Sequence, residues 1–415
     1  MSITHQSFYL KNIATFLKGK PPAIIPYYEE DACLYLSPEF LRGKDSAELA
    51  KPSSNSVFVN DGDLIVLWDG SNAGEFFKGR RGLLASTMSL IQHGDEIDKQ
   101  YFLYALKSWE PYLKGQTSGS GIPHVDKEVL GNLKILVFCK EEQEKIAKVL
   151  STIDRAIAQT EAIIAKQQRI KTGLMQDLLT KGIDENGNIR SEATHEFKDS
   201  AIGRIPVEWD VRKIGETLED ITYGLTVRPK YVEEGIPLIS AKECGNGSID
   251  YESCNKIMQQ DFKRLRERSL PKYGDVLITK TGTLGRVARI NQSDPDSAIT
   301  QNVALLRPNI KIIRSKFLEI ILNSEKIQKN IKDGVTVLSI PDLQLGVLEK
   351  FEFPIPSLNE QDKLIRQIEK FDADTLLNKK YLRKLQLAKN GLMQDLLTGK
   401  VRVTNLLKEK EPTSP

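Results

Sequence analysis

The sequence has few cysteines, few histidines and no long apolar run. Its four cysteines, Cys33, Cys139, Cys244 and Cys254, are far apart and form no Cys-x-x-Cys pair. This spacing argues against a disulfide framework and a cysteine-based zinc site, and it predicts four reduced thiols. No apolar stretch approaches the roughly 20 residues that cross a bilayer, and the first residues lack the basic and apolar regions of a signal peptide. We therefore expect a cytoplasmic protein.

The motifs of nucleotide-using and nucleic-acid-modifying enzymes are also missing. The sequence has no Gly-x4-Gly-Lys-Ser/Thr phosphate loop, no Gly-x-Gly-x-x-Gly after a strand and no Asn/Asp-Pro-Pro-aromatic tetrapeptide. Its Pro-Asp pairs, at 295–296 and 341–342, are not followed by the Asp/Glu-x-Lys of metal-dependent nucleases. The isolated histidines are His5, His93, His124 and His195. We interpret the chain as non-catalytic, with no catalytic, cofactor-binding or metal-binding residue of its own.

Length and charge limit the classes further. A chain of 415 residues is expected to form two or three domains. Its net charge of +3 argues against a protein that coats nucleic acid by charge alone. Residues 256–290, however, hold nine Lys/Arg against three Asp/Glu, and a smaller basic group spans 78–81. Such segments are typical of a phosphate-facing surface, although a solvated helix face gives the same pattern.

The chain contains one long internal repeat. Gly-Leu-Met-Gln-Asp-Leu-Leu-Thr occurs at 173–180 and again at 391–398, an offset of 218 residues. The same offset aligns Glu142 with Glu360, and one register holds for roughly 60 residues without a gap. Further upstream the offset falls to 212 and the similarity fades. Similar second parts and divergent first parts suggest a common scaffold that carries two different recognition domains.

The similar parts predict two long helices. Apolar residues recur in alternating steps of four and three, the heptad seam of a coiled coil, and no proline interrupts them. The predicted seam comprises Ile146, Leu150, Ile153, Ile157, Ile164, Leu174 and Leu178 in the first copy and Leu364, Ile368, Phe371, Leu382, Leu385, Leu392 and Leu396 in the second. Gly182 and Gly399 follow the last apolar residues and are C-cap signals. We expect the two helices to pack on each other.

The divergent parts predict an α/β (α+β) fold. Strand-like runs occupy 63–68, 134–138, 237–240, 275–280, 303–307 and 351–355, and helix-like runs occupy 97–114 and 315–332. The expected organisation is a first globular domain at 1–140, a central long helix at 141–182, a polar linker at 183–205, a second globular domain at 206–357, a C-terminal long helix at 358–400 and a tail at 401–415.

Candidate DNA-contacting residues lie on loops beside the basic segments. Base recognition needs cationic, amide or hydroxyl side chains near positive charge. The candidates are Lys78, Arg80, Arg81, Lys114, Gln116, Ser118, Lys280, Thr281, Thr283, Arg286, Gln301, Asn302, Lys332 and Thr336. Each has a structural alternative. Residues 279–285 also fit a tight hairpin, and the Gln301-Asn302 pair also fits side chains that only satisfy local backbone groups.

At this point the motifs resemble a known family. The duplicated octapeptide, with Gly-Lys-Val-Arg-Val at 399–403, closely resembles type I restriction–modification specificity subunits. So do Ile-Pro-Val-Glu-Trp at 205–209, the Gly-Asp-Val-Leu-Ile-Thr and Gly-Thr-Leu-Gly-Arg motifs within 274–286, and Gly-Asp-Leu-Ile-Val-Leu-Trp-Asp-Gly at 62–70. The resemblance covers nearly the whole chain. The first half departs from the pattern because it opens with Phe-Tyr-Leu-Lys-Asn-Ile at 8–13 instead of Ile-Pro-x-x-Trp.

The resemblance implies two target recognition domains joined by two long antiparallel coiled-coil helices, with an internal pseudo-two-fold repeat. Such a subunit would direct two methyltransferase subunits, and two restriction subunits when present, to a bipartite sequence of double-stranded DNA. The helices would set the unread spacer. Methylation would fall on adenine N6, and S-adenosylmethionine, ATP and Mg would belong to the partner subunits. The residues alone leave an alternative, a non-catalytic protein-interaction scaffold built on the coiled coil.

Overall fold

The computed structural model describes residues 5–43, 48–116, 123–245, 247–265, 267–334 and 341–403. The chain forms two compact units. The first comprises Met1–Ile163 with Lys379–Pro415, and the second comprises Ile164–Asn378. Both long helices, Lys140–Thr180 and Leu358–Leu397, cross this division, so each unit contains a globular domain and part of both helices.

The globular domain of the first unit contains two main sheets. Four antiparallel strands form sheet 1, in the order Ala14–Lys18, Met88–His93, Leu64–Leu67 and Phe76–Lys78. A five-stranded sheet has the order Ala23–Ile25, Glu48–Lys51, Cys33–Leu36, Gly82–Leu84 and Phe58–Val59, and Gln6–Tyr9 pairs with Lys134–Val137. The helices are Leu10–Ile13, Pro38–Leu41, Lys99–Lys107, Glu110–Gly115 and Lys127–Gly131.

The core of this domain lies on both faces of sheet 1. Leu64 and Val66 pack with the helix residue Phe102, whereas Ile65 alternates to the other face and packs with Leu36 of the five-stranded sheet. Burial on both faces explains why the strand Leu64–Leu67 is apolar at every position instead of alternating.

The second unit repeats this arrangement. Four antiparallel strands form sheet 2, in the order Leu218–Tyr223, Val303–Pro308, Val276–Thr279 and Val287–Arg289. A second sheet has the order Tyr231–Val232, Asn255–Ile257, Ile236–Ile239 and Ala298–Ile299, and two strand pairs join Asp210–Lys213 with Glu352–Ile355 and Phe197–Lys198 with Ile205–Pro206. The helices are Ile214–Thr217, Gln259–Lys263, Glu267–Ser269, Ser315–Leu322, Glu325–Asp333 and Leu345–Leu348. The divergent sequences therefore share one strand order.

The structure confirms the mixed α/β fold class, and each predicted strand is present with its ends shifted by no more than one residue. The two shorter helix-like runs are helical over most of their length, but each divides into two helices. In 97–114, Pro111 lacks an N–H for helix continuation and stands at the start of the second helix. In 315–332, the side chain of Ser324 accepts a hydrogen bond from the N–H of Ile327 and begins a new helix.

The segment 183–205, predicted as a polar linker, packs against the second unit. Ile183 and Ile205 are buried in its apolar core. The N–H of Ile183 donates a hydrogen bond of 3.0 Å to Glu360. Because both ends are held in this way, the segment forms part of the fold of that unit.

The long helices run antiparallel within each unit. In the first unit, Lys389 contacts Asp154. In the second unit, the side-chain amide of Asn378 donates to the side-chain oxygen of Gln167, and Lys171 pairs with Asp372. From the first contact to the second, the residue number rises on one helix, from 167 to 171, and falls on the other, from 378 to 372, as it must in an antiparallel pair. Every residue of the predicted seam is buried or half-buried. No helix among the residues that the structure describes is long and apolar enough to span a membrane.

Candidate nucleic-acid interface

Three loops of the second unit meet at one end of sheet 2. The N–H of Lys280 donates to the carbonyl oxygen of Asn302 at 2.9 Å, and the N–H of Gly282 donates to that of Pro341 at 3.3 Å. The carbonyl oxygen of Lys280 in turn accepts from the N–H of Leu343 at 2.8 Å. These backbone bonds bring together Lys280 and Asn302, which are predicted candidates from separate loops.

A lysine, an aromatic ring and a carboxylate form a compact group at this end, which we call the C-terminal cluster (Tyr223, Lys280, Thr281 and Asp342). The Lys280 ammonium lies 2.7 Å from Oδ1 of Asp342 and 5.8 Å from the centre of the Tyr223 ring. The hydroxyl of Thr281 donates to the same Oδ1 at 2.6 Å. The hydrogen bonds from Lys280 and Thr281 hold the pKa of Asp342 below its usual value. The carboxylate is therefore ionised at neutral pH.

The equivalent end of sheet 1 has a matching group, the N-terminal cluster (Lys18, Trp68, Asp69 and His124). The Lys18 ammonium lies 2.5 Å from Oδ2 of Asp69 and 5.7 Å from the centre of the Trp68 ring. Asp69 and His124 form a backbone bridge. Lys18, Trp68 and Asp69 are not among the candidates predicted from the sequence. The Trp-Asp-Gly that ends the motif at 62–70 was the available signal.

The two clusters occupy the same place in the fold. The backbone N–H of Trp68 donates to the carbonyl oxygen of Thr87, as the backbone N–H of Lys280 does to that of Asn302. Likewise, the backbone N–H of Gly70 donates to the carbonyl oxygen of Pro123, as that of Gly282 does to Pro341. Strand registers extend the alignment, because Lys18 faces Ser89 and Tyr223 faces Ala304. The aligned positions are Lys18 with Tyr223, Trp68 with Lys280, Asp69 with Thr281 and His124 with Asp342.

The basic candidates of the first half lie at the opposite end of sheet 1. Lys78 pairs with Leu64, the first residue of its strand, and its ammonium lies 3.3 Å from the side-chain oxygen of Gln100. The Arg80 guanidinium lies 5.7 Å from the centre of the Phe40 ring, and Arg81 is exposed. The structure therefore does not bring these three side chains to the N-terminal cluster.

The remaining candidates are divided between exposed and structural positions. Thr283 and Gln301 are exposed, whereas the Arg286 guanidinium donates to the carbonyl oxygen of Cys244 at 3.4 Å. The hairpin alternative is also present, because the N–H of Gly285 closes the turn on the carbonyl oxygen of Thr279. Lys114, Gln116 and Lys332 are exposed near helix ends, and Ser118 and Thr336 lie outside the described residues.

Much of the positive charge of 256–290 is neutralised locally. Its ion pairs within the second unit are Arg268 with Asp220, Lys272 with Glu267, Lys280 with Asp342 and Arg289 with Glu319. Lys263 and Arg264 are exposed at the end of Gln259–Lys263. These two side chains are therefore the better placed for phosphate contacts.

Comparison with known proteins gives one consistent result. The family model described as "Type I restriction modification DNA specificity domain" matches the chain twice, at residues 5–168 and 206–387. The type I restriction enzyme MjaVIII specificity subunit of Methanocaldococcus jannaschii is 33% identical over 398 residues, which cover 94% of this chain and 91% of that protein. The type I restriction enzyme EcoBI specificity subunit of Escherichia coli is 24% identical over 377 residues, covering 88% and 78%.

Two solved structures share the fold. The S subunit of a type I restriction–modification system from M. genitalium superposes with a TM-score of 0.57 at 18% identity, covering 95% of this chain and 96% of that chain. A chain from a structure on complex assembly and conformational transition of the type I R-M system superposes with a TM-score of 0.58 at 14% identity, covering 97% and 100%.

Proposed function

The chain belongs to the type I restriction modification DNA specificity family, and on that premise we propose that its two globular domains each recognise one part of a bipartite double-stranded DNA target. The chain is the non-catalytic subunit that recognises the DNA sequence for a type I restriction–modification complex. This finding favours DNA recognition over the alternative of a protein-interaction scaffold.

The bipartite target is supported by one observation above all, the double match of a single DNA-specificity model within one chain. Each match contains its own four-stranded sheet with a polar cluster at the same end. The residues at the aligned positions of the two clusters differ, so the two domains offer their hydrogen-bonding groups to DNA in different arrangements. Two different recognition surfaces in one chain fit a target with two different parts.

The proposed protein partners are two methyltransferase subunits and, when present, two restriction subunits. Exposed apolar side chains on the C-terminal long helix support a docking role, since such groups often mark protein contacts. Leu376 and Leu377 are exposed in the second unit, and Leu387 is exposed in the first. A groove of about 920 Å³ in the first unit, lined in part by Trp109 and Met393, is a further candidate surface.

The proposed chemistry belongs to the partners. Adenine N6 methylation would use S-adenosylmethionine, and cleavage by restriction subunits would use ATP and Mg. An adenine inside a duplex must be flipped out before it is methylated. This chain would contribute position, because each good base contact discriminates by about 1–3 kcal/mol and the helices would fix the spacer between the two recognised parts.

Co-expression with the methyltransferase subunit, followed by methylation-aware sequencing of the host DNA, tests this function. We expect a methylated bipartite motif that appears only when this chain is present. Exchange of residues 274–302 for those of a relative should change one half of the motif. Methylation that does not depend on this chain would contradict the function, and simultaneous change of both halves would contradict the separate recognition domains.

A further inference from the structure

The two clusters share a lysine, an aromatic ring and a carboxylate, but at exchanged positions. The lysine of the N-terminal cluster, Lys18, aligns with Tyr223, and the lysine of the C-terminal cluster, Lys280, aligns with Trp68. The carboxylates of Asp69 and Asp342 likewise stand on opposite partners of the aligned backbone bridge. Inheritance from a common repeat preserves residues at the same position, so it does not explain this exchange. A functional requirement for a paired lysine and carboxylate at that end of each sheet does explain the exchange.

Each carboxylate has one oxygen engaged and one available. Oδ2 of Asp69 is bound by Lys18, and among the described residues Oδ1 receives no hydrogen bond. Oδ1 of Asp342 is bound by both Lys280 and Thr281, and among the same residues Oδ2 receives none. The side chains of Asp69 and Asp342 are 36% and 43% exposed. Each cluster therefore presents one oriented carboxylate oxygen as a hydrogen-bond acceptor to the outside.

A carboxylate is an unfavourable neighbour for DNA unless it has a specific donor to bind. Phosphates repel it, and in the major groove guanine and thymine present acceptors. Cytosine N4 and adenine N6 present amino groups that a carboxylate accepts. A lysine beside the carboxylate offsets the phosphate repulsion. The aromatic ring under each lysine restrains the ammonium next to its carboxylate.

We propose that Asp69 and Asp342 are specificity-determining residues, each of which accepts a hydrogen bond from the exocyclic amino group of a cytosine or adenine in the major groove. Lys18 and Lys280 are positioning residues that neutralise and orient these carboxylates. This inference rests on the proposed function, because it requires both domains to contact DNA. It assigns base recognition to two aspartates that are absent from the candidates predicted from the sequence.

The test compares Asp69→Asn and Asp342→Asn with the wild-type chain, each co-expressed with the methyltransferase subunit and followed by methylation-aware sequencing. An amide both donates and accepts, so the requirement for an amino-bearing base should relax by about 10- to 100-fold. We expect Asp69→Asn to relax one position in one half of the motif and Asp342→Asn to relax one position in the other half. The base that the wild-type chain requires at the relaxed position shows whether the aspartate contacts a cytosine or an adenine.

The matched control is Glu267→Gln, which removes a carboxylate that pairs with Lys272 at 2.9 Å. Both residues precede the strand Val276–Thr279 and so lie toward the end of sheet 2 opposite the C-terminal cluster. It should leave the motif unchanged. Lys18→Gln should lower the methylated fraction of all sites without changing any base, as expected of a positioning residue.

The possible outcomes distinguish a failure of the base-contact proposal from a failure of the proposed function. Strict wild-type motifs in both aspartate variants would overturn the base-contact proposal while the proposed function stands. A wild-type chain that supports no methylation would reject the function itself. Lys280 is nearly buried, so Asp342→Asn carries a risk of misfolding. Asp69→Asn, whose ion pair is half-exposed, decides the proposal if the other variant does not assemble.

Discussion

The ammonium of Lys389 lies 2.6 Å from a carboxylate oxygen of Asp154. The second unit contains the same ion pair between Lys171, which stands 218 residues before Lys389, and Asp372, which stands 218 residues after Asp154. The repeat thus places one lysine and one aspartate on each helix so that every unit holds one reciprocal pair. The antiparallel register of the two helices is specified once in each unit.

Because the two ion pairs are equivalent, substitution of either lysine should lower the free energy of unfolding by a similar amount. Lys171→Met and Lys389→Met should each lower the free energy of unfolding by up to about 1 kcal/mol, because both pairs are half-exposed and partly screened. Denaturant unfolding in low and high salt measures this, and the losses should shrink at high salt. Lys384→Met, on an exposed face of the same helix, is the control. A loss at only one of the two pairs would contradict the shared register.

Two buried carboxylates should matter far more. Glu360 accepts hydrogen bonds of 3.0 Å from the Trp209 indole N–H and the Ile183 N–H, and it pairs with Arg190. Glu142, its counterpart in the repeat, is fully buried and pairs with Arg402. Glu360→Ala leaves a largely buried cation and two N–H groups without their acceptor, so we expect a loss of about 3–5 kcal/mol in denaturant unfolding.

The conservative variant Glu360→Gln provides the comparison. Its amide oxygen still accepts from the indole N–H, so it should lose less stability than Glu360→Ala. Equal losses in the two variants would show that the hydrogen bonds of this side chain contribute little. A loss of less than about 1 kcal/mol in both would contradict the anchoring role of Glu360.

The repeat, the strands and the long helices were predictable because their signals are local and periodic. The octapeptide at 173–180 and 391–398 fixed the duplication, and the heptad spacing fixed the long helices. The strand Leu64–Leu67 was visible as a short apolar run. Where prediction erred, as in the joined helix at 97–114, a single proline decided the break.

The clusters were not predictable because they are assembled across the sheet. Lys18 and Asp69 are 51 residues apart, and Lys280 and Asp342 are 62 apart. Their pairing depends on which strand ends meet in the fold. The separation of lysine and aspartate along the sequence also differs between the two halves, so no single spacing marks both pairs. The cationic, amide and hydroxyl side chains expected at a DNA-contacting surface do not include carboxylates, so neither aspartate belongs to that pattern. Lys280 and Thr281 were identified for their own chemistry, and their acidic partner was not.

The two helix-ending glycines should differ in their tolerance of alanine. Both have positive φ, 64° at Gly182 and 72° at Gly399, which costs any other residue about 1 kcal/mol. A Cβ at Gly182 would lie 2.3 Å from Glu360 and 2.4 Å from Trp209, whereas at Gly399 the nearest atom, on Leu136, is 3.1 Å away. Thermal unfolding should therefore show a clearly larger loss for Gly182→Ala than for Gly399→Ala, and equal losses would contradict the tight packing around Glu360.

Alkaline pH should destabilise the second unit through its two buried thiols. Burial, reinforced by the nearby Glu243 carboxylate, raises the pKa of Cys244 and of Cys254 to about 12, whereas a thiol in the unfolded chain titrates near 9. The folded state thus holds these protons more tightly than the unfolded state. Their contribution to stability is complete below pH 9 and is lost as the pH rises from 9 toward 12.

Denaturant unfolding between pH 7 and pH 11 measures this loss, and the double variant Cys244→Ala/Cys254→Ala isolates it from buried tyrosines that titrate in the same direction. We expect the double variant to be less stable than the wild type at pH 7, because it leaves small cavities among Ile239, Leu277 and Leu305. Its stability should then fall less steeply above pH 9. Parallel pH profiles for the two proteins would mean that the thiols ionise equally easily in the folded and unfolded chains, and would contradict their burial.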